Sequence, residues 1–203
     1  MIETDRLFIR KFKVSDYNDL YEYLSNPVTY VFEPGRPVTL SEAEEVTRLI
    51  SEGNNFFAVV LKQNNKMIGH LYLEHLEPKE RLTWELGYIF NPAYQRKGYA
   101  SEASEALTKY AFKNFKVHRI MARCNPDNVA SWKLLEKIGY KREGYFKKYG
   151  FVHRDDNGNP IWTDAYEYSR VEDFYLLREE TSSPLLALLY SAMPKRIAQG
   201  CTS

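Results

Sequence analysis

Apolar and polar positions along this chain fall into strand-like and helix-like stretches that together predict a mixed α/β domain. Leu7-Phe8-Ile9-Arg10 predicts a short strand near the start. Ser15 then opens a segment in which Tyr17, Leu20, Tyr21 and Leu24 recur at helical spacing, until Asn26-Pro27 stops it. Ser41 and Glu44 have the spacing of a capping box. They predict a second helix with Ala43, Val46, Leu49 and Ile50 on one side and Gly53 as terminator. Residues 56–61 and 67–73 are β-rich runs joined by the polar stretch Gln63-Asn64-Asn65-Lys66, which predicts an antiparallel hairpin. A third long strand is expected over residues 82–90.

After Asn91-Pro92 the chain runs through Gln95-Arg96-Lys97-Gly98-Tyr99-Ala100 into a helix whose Ala103, Ala106, Leu107, Tyr110 and Ala111 share a face. Residues 119–124 predict the next strand. Residues 128–138 predict a helix that turns Val129, Trp132, Leu135 and Ile138 inward and is closed by Gly139. From Tyr140 the pattern is strand-like, and Asp156-Asn157-Gly158-Asn159-Pro160 is a strong turn between two ribbons, the second ending with residues 165–169. Residues 171–180 are expected to be helical. Beyond Ser182-Ser183-Pro184 the composition shifts to a tail crowded with Leu185, Leu186, Leu188, Leu189, Tyr190 and Met193. The domain is therefore assigned to residues 1–180. The tail, 181–203, presents more apolar surface than a free segment should, and is expected to dock on its own domain or on a second copy as a homodimer.

Composition narrows the class. At 203 residues, with 44% hydrophobic and 15% aromatic side chains, the chain is neither disordered nor fibrous. Its length suits one domain with an appendage, able to bury about 70% of its unfolded surface. No apolar run approaches the ~18 residues of a membrane span, and the first ten residues do not read as a signal peptide. With only Cys124 and Cys201, no disulfide framework is available, so a soluble, cytoplasmic protein is expected. The formal charge is +1, but residues 109–154 carry 12 basic and 3 acidic side chains, a local excess of nine. That excess suggests a polyanion held at one place.

Several chemistries lack their signatures. There is no G-x-S-x-G, no G-x-x-x-x-G-K-[ST] and no G-x-G-x-x-G. His70, His75, His118 and His153 show no metal spacing, and the first two, five apart on a strand, point to opposite faces. No metal site is expected. The informative stretch is residues 95–100. A basic turn containing Gly98 that feeds directly into a helix exposes unpaired N–H groups and the positive end of the helix dipole, which suits a pyrophosphate.

A series of motifs in order carries a resemblance. Glu3-Thr4-Asp5-Arg6-Leu7 opens the chain. Trp84-Glu85-Leu86-Gly87-Tyr88-Ile89-Phe90-Asn91-Pro92 and Gln95-Arg96-Lys97-Gly98-Tyr99-Ala100 follow, the latter matching the cofactor motif Q/R-x-x-G-x-G/A. Asn125-Pro126-Asp127-Asn128-Val129-Ala130-Ser131-Trp132 runs on through Gly139-Tyr140. Over residues 1 to about 170 the chain resembles the GNAT superfamily of N-acetyltransferases and its RimJ/RimL-like branch, whose members acetylate protein N-termini or small amines with acetyl-CoA. The resemblance implies a central mixed, mostly antiparallel sheet flanked by helices and splayed between two central strands, with the pantetheine arm in the gap. It implies that Ile89 and Phe90 hold that arm through their backbone, that Gln95, Arg96, Lys97, Gly98, Tyr99 and Ala100 bind the pyrophosphate, and that Asn128 contacts the cofactor near its thioester. The excess of cations would surround this polyanion.

Amide formation from a thioester needs a proton acceptor for the amine and stabilisation of the departing thiolate. Glu85, inside an apolar strand, is the first base candidate, because a carboxylate there faces a cavity or is costly to bury. An ion pair with an Arg would make it structural instead. Asp164 and Glu167 are held in reserve. Superfamily members often supply the acid from a Tyr in the helix matching residues 128–138. No Tyr occurs there, and the match offers Ser131 as the hydroxyl facing the sulfur, unless it only caps the helix. The resemblance also implies an acceptor groove near Tyr30, Phe32, Glu33, Tyr145, Tyr149 and Phe151. A competing reading, nucleic-acid binding or aminoacyl transfer through the basic segment and Phe112, Phe115, Tyr140, Tyr145, Phe146 and Tyr149, is disfavoured. The cations at 109–123 lie on elements with core duties and the pI is only about 7.7.

Overall fold

The structure, a computed structural model, describes residues 1–171. Eight strands form one sheet: β1 (Ile2–Glu3), β2 (Leu7–Lys11), β3 (Phe56–Leu61), β4 (Met67–His75), β5 (Thr83–Phe90), β6 (Arg119–Cys124), β7 (Lys141–Arg154) and β8 (Pro160–Val171). Their spatial order is β1-β2-β3-β4-β5-β6-β8-β7. Every neighbouring pair is antiparallel except β5 and β6. The helices are α1 (Tyr17–Leu24), α2 (Leu40–Glu52), α3 (Tyr99–Asn114) and α4 (Val129–Lys137). This is the mixed, mostly antiparallel sheet flanked by helices that the sequence predicted. No helix among the described residues is long and apolar enough to cross a membrane.

Period-two alternation divides the sheet between two cores. Leu7 and Ile9 of β2, with Val59 and Leu61 of β3, join the cluster under α3 and α4 that includes Leu107, Ile120 and Leu135. Phe8, Ala58 and Val60, the intervening residues, join Leu20, Tyr23 and Met67 on the α1 side. β5 follows the same rule: Trp84, Leu86, Tyr88 and Phe90 face the first cluster, and Ile89 faces the second.

The parallel pair is short. β5 and β6 are in register only at Thr83↔Arg119, Trp84↔Ile120 and Glu85↔Met121, after which they part. On its other edge β5 stays with β4 to the end, as far as Gly69↔Phe90. Gly69 makes that approach feasible: a Cβ there would lie 2.6 Å from the Ile89 carbonyl oxygen and 2.8 Å from the Phe90 ring. Any larger residue would push β4 and β5 apart at the point where β5 has no other partner.

Four local expectations are corrected. α2 is capped by Thr39 and Glu42, not by Ser41 and Glu44. The Glu42 N–H donates to Thr39 Oγ1 (3.3 Å), and the Thr39 N–H donates to Glu42 Oε2 (2.7 Å). Both pairs have the same spacing, but the Val38 N–H donates to the Leu24 carbonyl at 3.0 Å, which ties down the chain just ahead of Thr39 and starts the helix early. Val129, in the first turn of α4, is exposed rather than buried. Leu82 is not in β5, because its backbone is left-handed (φ 50°) and turns the chain into the strand. Val171 ends β8 opposite Arg119 instead of opening a helix. The rest of that helix, the domain boundary at 180, the apolar tail and Cys201 lie outside the described residues.

The cap assignment separates two conservative variants. Thr39→Ala should lower stability by about 1 kcal/mol and the melting temperature by roughly 2–4 °C, whereas Ser41→Ala should leave both near the wild-type value, read by thermal denaturation.

Candidate active site

Where β5 leaves β6 the sheet opens into a cleft of about 580 Å³. One wall is the end of β5, with Tyr88, Ile89 and Phe90. The floor is the segment from Tyr94 to the first turn of α3, and Asn128, Ala130 and Ser131 at the start of α4 close the side. Val28, Thr29, Val31, Phe32 and Glu33, from the connection between α1 and α2, form the opposite wall.

The floor is built to present backbone N–H groups. Asn91, buried, caps a short 3-10 turn by accepting from the Ala93 N–H (3.0 Å) and is fixed by donating to Glu22 (2.8 Å). The Gln95 side chain turns back and donates to the Phe90 carbonyl at 3.1 Å, satisfying part of the edge that β5 lost with β6. Arg96 and Gly98 are both left-handed, with φ of 60° and 82°. This is costly for a β-carbon-bearing Arg and easy for Gly. α3 then starts from Gly98 with no side-chain cap, so its first N–H groups have no intrahelical partner and point into the cleft end of the helix. Arg96, Lys133 and Lys137 add positive charge to the walls.

At the far end of the cleft three polar side chains meet. Asn128 caps α4 by accepting from the Ser131 N–H at 3.2 Å, which frees the Ser131 hydroxyl from capping duty. That hydroxyl lies 2.9 Å from the Tyr88 Oη, and Tyr88 also reaches the Ser131 carbonyl at 3.2 Å. Burial raises the Tyr88 phenol far above its ordinary range, so it stays a protonated donor. Burial likewise pushes the Cys124 thiol up to about 11, against a hydrogen bond with Ser131. Glu33 is the one carboxylate among the described residues lining the cleft. Burial pushes it up to about 7, and its charge is felt at Tyr88.

Of the sequence-predicted residues, Ile89, Phe90, Gln95, Arg96, Gly98, Tyr99, Ala100, Asn128 and Ser131 all line this cleft. Lys97 does not. Its ammonium turns back to the Ala93 carbonyl (3.1 Å) and over the Tyr94 ring, so only its main chain belongs to the loop. Glu85 also lies apart from the lining. It stands opposite Glu74 on β4, and Arg123 comes within 3.5 Å of it while holding Glu167 at 2.9 Å. Two carboxylates facing each other across a strand pair repel, and Arg123 beside Glu85 offsets that repulsion. Asp164 is taken up by Tyr145 and by the Lys148 N–H (2.7 Å) within the β7–β8 ribbon.

The cation excess is placed differently from expectation. Lys133 and Lys137 alone of the basic residues in 109–154 line the cleft. Arg119 pairs with Glu143, Arg123 with Glu167, and Arg142 lies over the Tyr166 ring at 4.5 Å. A charge count along the chain does not know that β7 and β8 are laid outside β6, away from the opening. The aromatic set is divided as well. Tyr140 is buried on Thr108, Phe115 stacks on Trp84, and Tyr145, Phe146 and Tyr149 are exposed on the ribbon. His70 is a buried core residue 2.7 Å from the Tyr23 hydroxyl, its imidazole pushed down to about 4 by burial. Among the described residues no group of three metal-ligating side chains comes together.

Tyr88 is the site residue that sequence reasoning missed. It shares the core-facing period of Trp84 and Leu86, so only its position beyond the parting of the strands sets it apart. Glu33 was legible only as a wall charge, since nothing local shows that it forms no hydrogen bond or ion pair with a described residue.

Comparison with known proteins agrees with this geometry. A family model described as an acetyltransferase (GNAT) domain matches residues 6–141. The chain is 38% identical over 174 residues to the uncharacterized N-acetyltransferase YnaD of Bacillus subtilis, covering 85% of this chain and 97% of that one. Its fold superposes on an acetyltransferase (GNAT family) from Bacillus anthracis with a TM-score of 0.74, at 38% identity and with 84% and 97% of the two chains covered. It also superposes on the ribosomal-protein-S5-alanine acetyltransferase of Vibrio fischeri with a TM-score of 0.69, at 25% identity and 85% and 97% coverage. A family model spanning most of the chain, on a sheet that parts above an uncapped helix, makes this chain a member of the GNAT acetyltransferase family.

Proposed function

We propose that the chain transfers the acetyl group of acetyl-CoA to a primary amine, either a protein N-terminal α-amine or the amine of a small molecule. The observation that carries this is the meeting, in one cleft, of an uncapped helix start, a hydroxyl pair and a single carboxylate. The likeness to a ribosomal-protein-S5-alanine acetyltransferase favours the α-amine.

The cleft suits the cofactor chemically. The N–H groups of residues 98–101, with Arg96, Lys133 and Lys137 around them, match a pyrophosphate, and the unpaired edge of β5 at Tyr88 and Phe90 matches the amides of a pantetheine arm. When bound, acetyl-CoA supplies an activated thioester whose C–S bond is exchanged for the C–N bond of the product amide. Ser131 then donates a hydrogen bond to the sulfur as it takes up the electron pair. Tyr88 donates to the Ser131 carbonyl, and its Oη, 2.9 Å from the Ser131 hydroxyl, holds that hydroxyl at the cleft.

For the base, the observations favour Glu33 over Glu85. Glu33 lines the cleft with Ser131 and forms no hydrogen bond or ion pair with a described residue, whereas Glu85 has Arg123 beside it. A carboxyl that titrates at about 7 is also matched to taking a proton near neutral pH. An α-amine of pKa ~8 is partly neutral there, so a base of this strength suffices, while a lysine ε-amine near ~10.4 is harder to deprotonate.

Gly98→Asp should abolish acetyl-CoA binding by calorimetry while the circular dichroism spectrum stays native, because it adds bulk and negative charge at the floor. Unchanged affinity in a folded mutant would remove the loop from the site. Glu33 must be ionised to accept a proton, so wild-type kcat/KM for the amine should fall as pH drops through about 7. Glu33→Gln should lower kcat/KM about 10²-fold at pH 7 and flatten that limb. If Glu85→Gln flattens the limb and Glu33→Gln does not, the base is Glu85.

A further inference from the structure

The turn between β1 and β2 carries the Thr4-Asp5-Arg6-Leu7 part of the opening motif, and it lies against the first turn of α3. The turn holds its own shape, with the Thr4 N–H on the Leu7 carbonyl (3.0 Å) and the Leu7 N–H on Thr4 Oγ1 (3.0 Å). Its contacts to α3 converge on one carboxylate. Glu102 accepts from the Thr4 hydroxyl at 2.6 Å, from the Arg6 N–H at 3.1 Å and from Arg6 Nε at 2.7 Å, with Arg6 Nη2 at 2.6 Å. The same guanidinium donates to the Lys97 carbonyl at 3.0 Å and lies 4.5 Å over the Tyr99 ring. Its Nη2 would be 3.4 Å from a Cβ on Gly98. One side chain thus touches the loop at 97, 98 and 99 and the helix at 102.

We propose that Arg6 is a positioning residue for the cofactor-binding loop, acting by holding the Lys97 carbonyl and by drawing the Glu102 carboxylate out of the anion site. This rests on the reading of residues 95–101 as the acetyl-CoA loop. Glu102 is the acidic residue in the first turn of α3, where a carboxylate is itself attracted to the helix end and competes with any phosphate. Thr4 and Arg6 bind it and pair its charge. Arg6 also fixes the carbonyl preceding Gly98, so the left-handed turn that aims the N–H groups is set before the ligand arrives. The start of the chain, 91 residues away from Lys97, therefore shapes the phosphate site.

The test is calorimetric titration of the full-length protein with CoA and with acetyl-CoA, together with steady-state kinetics. Arg6→Ala should raise Kd for both ligands and KM for acetyl-CoA by about tenfold, the scale of a lost charge-assisted contact, with kcat at saturation within about twofold of wild type. Arg6→Lys, which keeps the charge but cannot span both partners, should fall between. Adding Glu102→Gln to Arg6→Ala should recover part of the affinity, because the unpaired carboxylate is then gone. A purely structural role predicts the opposite: a further loss in the double variant. Wild-type Kd in Arg6→Ala, or no recovery in the double variant, overturns the proposal. If Arg6→Ala does not fold, Arg6→Lys with and without Glu102→Gln gives the same comparison. Failure of the underlying reading looks different: wild-type protein then fails to bind acetyl-CoA, or Gly98→Asp binds it unchanged, and the proposal falls with it.

Discussion

β5 has hydrogen-bonded neighbours on both edges only as far as Glu85, and the rest of the site depends on that parting. Buried backbone groups must find partners, so a strand that sheds a neighbour inside a sheet needs a reason to stay in place and something to satisfy the exposed edge. Gly69 provides the first, letting β4 hold β5 closely to Phe90. Gln95 provides part of the second by donating to the Phe90 carbonyl. What remains is an open strand edge at the bottom of a cleft, next to the free end of a helix. Both are incomplete hydrogen-bonding arrays that an extended, amide-bearing polyanion can complete.

Charge is distributed around this opening with some economy. The walls carry Arg96, Lys133 and Lys137, and Glu33 is the one carboxylate among the described residues that line it. Elsewhere the carboxylates nearest the sheet surface are engaged: Glu85 and Glu167 by Arg123, Glu102 by Thr4 and Arg6, and Asp164 by the ribbon. Among the described residues that line the cleft, this leaves Glu33 as the one carboxylate. The hydroxyl pair of Tyr88 and Ser131 lines the same cleft. It comes from a strand and a helix that meet only because the strands part.

The site is also tied to both local and remote chain segments. α4 brings Asn128 and Ser131 within one turn, so their relation is set by helix geometry. The loop at 95–100, by contrast, is braced by residues from the first turn of the chain and by Asn91, which is fixed by Glu22 of α1. A loop with two left-handed residues is not a low-energy conformation on its own. It is held by contacts from elements that pack around it.

Much of this was determined by the sequence alone. The strands and helices from 56 to 138 follow from period-two and period-3.6 patterning, and the loop feeding a helix through Gly98 is legible as a turn suited to an anion because its requirements are local: a glycine, cations and a helix start. The order of motifs carried the family. Where two local patterns were equally good, as with the caps at Thr39 and Ser41, a hydrogen bond from outside the helix chose between them. Tertiary structure alone decided which charged side chains share space. The basic segment was divided among α3, β6, the cleft wall and the edge strand β7, Glu85 met Arg123, Tyr88 turned from core residue to cleft residue, and Arg6 reached Glu102 across 96 positions. Patterning reports which face a residue takes, but a carboxylate or a phenol acquires its chemistry from what lies opposite, and that is fixed by strand order and by where two strands separate.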